Sequence, residues 1–402
     1  MKPLIFLPGL MLALTLAHAA VRAQTPPADW IDPATGHRVI RLSGECGGSS
    51  LYFHQNAYTP TGDKLTFDTR AGIAAIDLTK LGKEPTKAEV VVPEARAIGT
   101  AWRTPDVYYR KSGALYATNL ETKETRKVAT AGGTVVNADE TLVVGFERDP
   151  DAAAKVKELG LPMLVTADLV RRDEPPGRLK PGGRALAMVV TDIKSGVAKK
   201  IHYSTEWLNH LQASPTDPHR LLFCHEGAWH QVDRVWTIRT DGKELRLMHK
   251  RTMRYEIAGH EFFSHDGKWV WYDLQTPRSK EFWLAGVNIA TGERLRYPIA
   301  REHWSVHFNI ARDGKLFAGD GGDPGQVAFA KDGMWINAFH PQPDGTIQRE
   351  RLVNMSKHNY VTGNGGLEPN VTITPDGKWV VFTSNAFGSR HVFAVEVAKA
   401  AR

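Results

Sequence analysis

One phrase constrains the fold of this 402-residue chain more than any other feature: a turn carrying Asp-Gly or a close variant, then a β-rich run. It reads TPTGDKLTF at residues 59–67, SPTDPHRLLF at 214–223, SHDGKWVWY at 264–272, ARDGKLFAG at 311–319 and TPDGKWVVF at 374–382. Weaker copies stand at TPDVYY (104–109) and NADETLVVG (137–145). The turn aspartates are Asp63, Asp106, Asp139, Asp217, Asp266, Asp313 and Asp376, separated by 33 to 78 residues. Repetition at a period of about 40–50 residues is the mark of propeller blades. Gly and Asp tolerate the backbone of a tight hairpin, so each copy is expected to join the first and second strands of a blade. A second set of turns (DLTKLGK, NLETKE, DIKSG, RTDGKE and NIATGE) then joins the third and fourth strands. The expectation is an all-β chain, a seven-bladed β-propeller. A six-bladed or irregular all-β protein is the competing reading.

Two intervals are too long for a blade alone. Residues 149–184 form an insertion with one helix at 151–159 and a Pro/Gly-rich stretch at 175–183, and a looser insertion lies around 340–366. The last copy supplies three strands, 371–374, 379–384 and 392–397. The orphan strand at 38–42 is expected to complete that blade and close the ring, which removes an exposed edge.

The N-terminus has a positive start at Lys2, an apolar run from Leu4 to Leu16 and small residues at Ala17, Ala19 and Ala23. That is the layout of a cleavable signal peptide over residues 1–23, leaving one domain over 24–402. The run is too short to span a bilayer and no later segment replaces it, so a periplasmic or secreted protein is expected and no membrane partner. The remaining chain, roughly 380 residues, exceeds what one compact core supports, in keeping with a repeat architecture. Cys46 and Cys224 have no metal-type spacing, and stand either as two thiols or as one disulfide. The net charge of +7 suits an anionic partner. No Lys/Arg tract alternates with aromatics, which argues against nucleic acid.

In a propeller the first strand of each blade lines the channel, and its start shares a face with the loop between strands two and three. Counting back six residues from the turn aspartates reaches His260, His307 and Asn370, with His210 and Glu368 close to the same register. His54, Gln55 and Asn56 stand near the first copy. A single strand-start histidine is ordinarily a packing residue. Histidines in three consecutive blades, beside Glu368 and Asn370, point to a common centre. The loops on the same face carry His225, Trp229, His230, Arg234 and Asn385. An arginine at such a place either forks a substrate carboxylate or is a core guanidinium paired with Asp233 or Glu226. Trp229 and Trp304 are either sugar platforms or blade packing.

The pieces CHEG, VDRVW, GHEFFSHDG, VHFNIARDGKLFAGDG and TPDGKWVVFTSN together resemble the oligogalacturonate lyases of polysaccharide lyase family 22, over roughly Tyr52 to Val397. The resemblance implies a seven-bladed propeller that cleaves short pectic oligomers by β-elimination, with a divalent metal, usually manganese, in its pocket. It places the Brønsted base on His260, the catalytic arginine on Arg234 and a metal ligand on His307. The family's Gln-x-x-His-x-His run falls on Gly365 to Asn370, where Gly365, Glu368 and Asn370 replace its three ligands. One histidine, one carboxylate and one amide still suit a hard cation, or the metal has been lost.

Elimination across C4–C5 of a uronate needs a base for the C5 proton, assigned to His260, and neutralisation of the adjoining carboxylate, assigned to Arg234 and any metal on His307, Glu368 and Asn370. It also needs a proton for the leaving O4, from His225, His210 or water. His54, Gln55, Trp229, His230 and Asn385 are the expected contacts to an acidic oligosaccharide. Competing readings are a lyase or glycosidase on another uronide, and a non-catalytic TolB-like binding propeller. N-terminal sequencing of protein expressed with its leader is expected to begin just after Ala19 or Ala23. A mature chain still starting at Met1 refutes the export reading.

Overall fold

The computed structural model describes residues 25–130, 133–161, 185–226, 229–360 and 366–400. Its strands form seven sheets, the blades of a β-propeller. Blade two runs Ala97–Thr100, Asp106–Lys111, Ala114–Asn119, Thr125–Ala129, each strand antiparallel to the next. Blade three runs Val135–Val136, Leu142–Arg148, Leu186–Asp192, Ala198–Ser204, and blade four Trp207–Ala213, Arg220–Glu226, Val235–Arg239, Arg246–Leu247. Blade five (Ile257–Phe263, Trp269–Gln275, Phe282–Asn288, Arg294–Ile299) and blade six (Phe308–Ile310, Phe317–Gly319, Trp335–Pro341, Ile347–Asn354) repeat the pattern. Blade one keeps only Lys64–Asp68, Gly72–Asp77 and Glu89–Pro93, and its innermost strand shrinks to a single bridge between Tyr58 and Leu65.

The repeated turns work as their chemistry requires. Gly267, Gly314 and Gly377 have φ of 68°, 71° and 72°. The aspartate before each caps the turn: Asp266 Oδ1 accepts from Ser264 Oγ (2.6 Å) and Lys268 N (3.1 Å), and Asp376 does the same for Thr374 and Lys378. Because strand side chains alternate, each blade presents two apolar faces. Val380 and Phe382 pack toward blade six, whereas Trp379 and Val381 pack toward blade one. The buried apolar residues accordingly fall into seven clusters, one at every junction between neighbouring blades.

Closure follows the expected route with one addition. Blade seven stacks Thr372–Ile373, Trp379–Ser384 and His391–Lys399, and His37–Arg41 pairs antiparallel with the last of these. Val39 and Ile40 enter the clusters on opposite sides of the blade. A further strand, Asp29–Ile31, pairs outside it, and Arg38 binds Asp29 across that pair at 2.5 Å.

The insertion in blade three opens with a helix at Ala152–Glu158, and its Pro/Gly-rich stretch lies outside the described residues, as do residues 1–23, where a signal peptide is expected. The looser insertion begins later than expected. Residues 340–354 belong to the regular outer hairpin of blade six, and the irregular chain follows Asn354. Both cysteines are free thiols, Cys46 exposed and Cys224 buried. No helix among the described residues is long and apolar enough to cross a membrane.

Removing residues up to Leu42 strips the partner from His391–Lys399 and leaves a long apolar edge, a template for aggregation. The truncated protein is expected to aggregate, or to melt several degrees lower, in a thermal shift assay with light scattering. An unchanged melting temperature and full solubility count against closure by this strand.

Candidate functional site

The first strands of blades four and five each break register in the same place, between Asn209 and Gln212 and between Gly259 and Phe262. At these bulges His210 and His260 adopt φ of 47° and 48°, and Asn370 at the corresponding place in blade seven has 54°. Left-handed backbone costs roughly 1 kcal/mol at a non-glycine residue, and His and Asn are among the types that accept it. The bulge re-aims the side chain. Two consecutive residues leave the ladder, so His260 reaches Asp273 while Glu261 reaches His210.

Three histidines meet in this way, each with Nδ1 held by a buried carboxylate. His260 Nδ1 lies 2.9 Å from Asp273, His307 Nδ1 lies 2.8 Å from Asp320, and His210 Nδ1 lies 3.2 Å from Glu261 of the next blade. The His260 ring centroid is 4.7 Å from that of His307 and 6.1 Å from that of His210. Burial opposes protonation of His260, but the hydrogen bond and charge of Asp273 outweigh it, and its pKa is raised. Burial and the neighbouring His260 hold His307 well below the usual range, so it is a neutral imidazole.

The floor is a turn that no strand pattern announces. Residues 51–56 enter the channel where blade one lacks its inner strand. Gln55 Oε1 accepts from Tyr52 N at 2.9 Å and closes the turn. Phe53, fully buried, stacks on His307 at 4.5 Å, and Tyr52 OH stands 3.4 Å from His210 Nε2. His54 adjoins His210 at 5.6 Å, and burial, then the charge of His210, lowers its pKa. A cavity of about 390 Å³ opens beside Tyr52, His54 and His210 toward blades two to four, lined also by Trp102 and Asn209. His260, Arg234 and His307 do not line it.

Arg234 is buried among these groups. Its Nη1 binds Glu226 Oε2 at 2.9 Å, while Nε and Nη2 have no partner among the described residues. Burial raises the Glu226 carboxyl, but the charge and hydrogen bond of Arg234 overcome this and hold it at about 2. Trp229 supports both principal side chains: the Arg234 guanidinium lies 4.4 Å over its ring, and His260 meets it edge-on at 4.9 Å.

The last expected group is divided. His307 Nε2 is buried without a hydrogen bond and faces Glu368 Oε2 at 3.7 Å. The Asn370 amide is turned elsewhere. It donates to Glu368 O at 3.0 Å and accepts from Phe53 N at 3.4 Å, so it anchors the floor.

Three expected residues are not brought to the centre. His225 follows Cys224 on strand two of blade four, and parity sends it to the opposite face, against His202, Phe223 and Trp236. His230 stacks on Tyr255 at 5.3 Å. Asn385 binds the backbone of Asn359 in blade seven. Trp304 is packed in the cluster between blades five and six. Conversely, Asp273 and Glu261 are carboxylate partners of these histidines that were not foreseen. The signal for Asp273 is a lone carboxylate inside the apolar strand WVWYDLQ.

Residues 179–401 match the profile of the oligogalacturonate lyase family. An oligogalacturonide lyase of Pectobacterium atrosepticum is 26% identical over 397 residues, covering 91% of this chain and 95% of that protein. An oligogalacturonate lyase of Dickeya dadantii is 26% identical over 223 residues, 52% of this chain and 55% of that protein. Among solved structures, an oligogalacturonate lyase in complex with manganese superposes with a TM-score of 0.73 at 23% identity, over 92% of this chain and 96% of that one. The oligogalacturonate lyase of Vibrio parahaemolyticus gives 0.72 at 22% identity, with the same coverage. With the family profile spanning more than half of its length, the chain belongs to the oligogalacturonate lyase family.

Proposed function

We propose that this protein is a lyase that cleaves short pectic oligogalacturonides by β-elimination, leaving a 4,5-unsaturated uronate. The observation that carries the reading is the pairing, in one place, of a carboxylate-held His260 with an arginine that has an uncommitted edge. Family membership supports the same substrate class.

With its Nδ1–H given to Asp273, His260 presents the Nε2 lone pair to the channel, and among the described residues Nε2 has no partner. Nε2 takes the C5 proton, and Asp273 stabilises the imidazolium that forms. The C5 proton is acidic only if charge spreading onto the neighbouring carboxylate is neutralised. Nε and Nη2 of Arg234 lie on one side of the guanidinium and match a carboxylate as a fork. Glu226 holds the opposite end, and Trp229 fixes the plane. As O4 departs it needs a proton. His225 faces away, which leaves water or His210, whose Nε2 stands by the Tyr52 hydroxyl and whose ring is oriented by Glu261.

The donors present fit a divalent cation. His307 Nε2 is an orphaned buried nitrogen whose other ring nitrogen is fixed by a carboxylate, an arrangement common at metal centres, and Glu368 faces it. His307 and Glu368 would hold such a cation, which would supply a second positive charge to offset the charge that develops on the substrate. The apolar leader further supports action outside the cytoplasm.

Two measurements test the reading. His260→Ala should lower kcat by about 10²–10⁴-fold with little change in KM, followed by the ultraviolet absorbance of the unsaturated product. Arg234→Lys keeps the charge but loses the fork, and should impair both kcat and KM. A His260→Ala enzyme as fast as wild type moves the base elsewhere. Wild type that forms no unsaturated product from any uronide removes the lyase reading and favours a binding propeller. Separately, protein dialysed against manganese is expected to hold one equivalent by elemental analysis, and Glu368→Ala to lose most of it. Unchanged occupancy in that variant sinks the ligand assignment.

A further inference from the structure

A second cleft opens on the same face of the propeller, between blades one and seven. Its volume is about 680 Å³, and its walls include Arg70, Arg96, Arg390, Asp68, Ser49 and Cys46. Arg70 lies in the loop between strands two and three of blade one, and Arg390 in the equivalent loop of blade seven. These loops lie on the face where strand one of each blade begins, the face that carries the catalytic groups. Ser49 is three residues from Tyr52, a span of at most about 11 Å. Ser50, between them, bonds Asn370 O at 3.3 Å, so the cleft wall and the site floor are one continuous segment.

The charge in this cleft is uncompensated. Glu45 is matched by Arg41 at 3.6 Å, and Asp68 by Arg96 at 3.8 Å and the Ala97 amide at 3.0 Å. Arg70 and Arg390 are exposed and have no carboxylate partner among the described residues. Two guanidiniums facing one concave space recognise planar anions such as carboxylates. The neighbouring Ser389 and Asp68 offer hydroxyl and carboxylate groups for sugar hydroxyls.

We propose that this cleft is a remote subsite that holds the carboxylate of a uronate one or more sugars away from the scissile bond, and so sets the preference for chain length. The proposal rests on the lyase reading above. Binding energy gathered there is available only to substrates long enough to reach from Tyr52 to Arg70.

The test compares kcat/KM on tri- and digalacturonate. Arg70→Ala and Arg390→Ala should each lower the ratio of trimer to dimer by about tenfold, mainly through KM on the trimer. Both positions are on exposed loops, and circular dichroism checks the fold. A ratio unchanged in both variants overturns the proposal, as does a loss equal for dimer and trimer. An arm independent of turnover uses the wild-type thiols. Cys46 is exposed in the cleft and Cys224 is buried, so N-ethylmaleimide should label Cys46 alone. Trigalacturonate should slow that labelling severalfold, and the neutral maltotriose should not. Labelling unaffected by trigalacturonate, or slowed equally by both sugars, overturns the cleft assignment. If wild type makes no unsaturated product from either oligomer, the lyase reading fails, and the labelling arm still decides the cleft.

Discussion

The site depends on one interaction used three times: a buried carboxylate on the Nδ1 of a histidine. Asp273, Glu261 and Asp320 are each almost fully buried, a costly place for a charge without a partner. Removing one member of such a pair typically costs about 3–5 kcal/mol, because the survivor is left uncompensated. The gain is orientation. With Nδ1 committed, each ring turns Nε2 toward the channel. Because Glu261 reaches from blade five to His210 of blade four, and the backbone N–H of Asn370 in blade seven donates to Asp320 of blade six at 3.3 Å, these bonds also fix the blades relative to one another.

The architecture was legible because hairpin chemistry repeats. The aspartate and glycine of each turn do the same local work, and counting from them gave the register of His260 and His307. It also gave the closing strand, although not the short strand Asp29–Ile31, which is too brief to carry an alternating pattern. The site was legible in part. His210 and His260 leave the regular ladder at bulges, and a strand pattern has no means of showing a bulge. His225 was grouped with its neighbours by proximity in sequence, but the two-residue period of a strand puts it on the other face from Cys224 and Glu226. His54 and Gln55 were legible as site residues, but the turn that makes residues 51–56 a floor was not, for a simpler reason. It exists because blade one lacks an inner strand, and that is a property of the ring.

Glu368 and Asn370, two positions apart, do different work. Glu368 keeps a position facing His307, while the Asn370 amide bridges Glu368 O and the Phe53 backbone. An asparagine at positive φ suits this bridging role, since its short amide both donates and accepts.

The segment that closes the ring is covalently continuous with the segment that builds the floor beneath the three histidines. Eleven positions after Arg41, the chain reaches Tyr52, and Phe53 stacks on His307. The latch and the hearth of this molecule are therefore tied by a short tether. Loosening of the latch would reach the histidines directly through this tether. The expected behaviour is that of a fuse: the histidine cluster is disturbed while most of the sheets still stand.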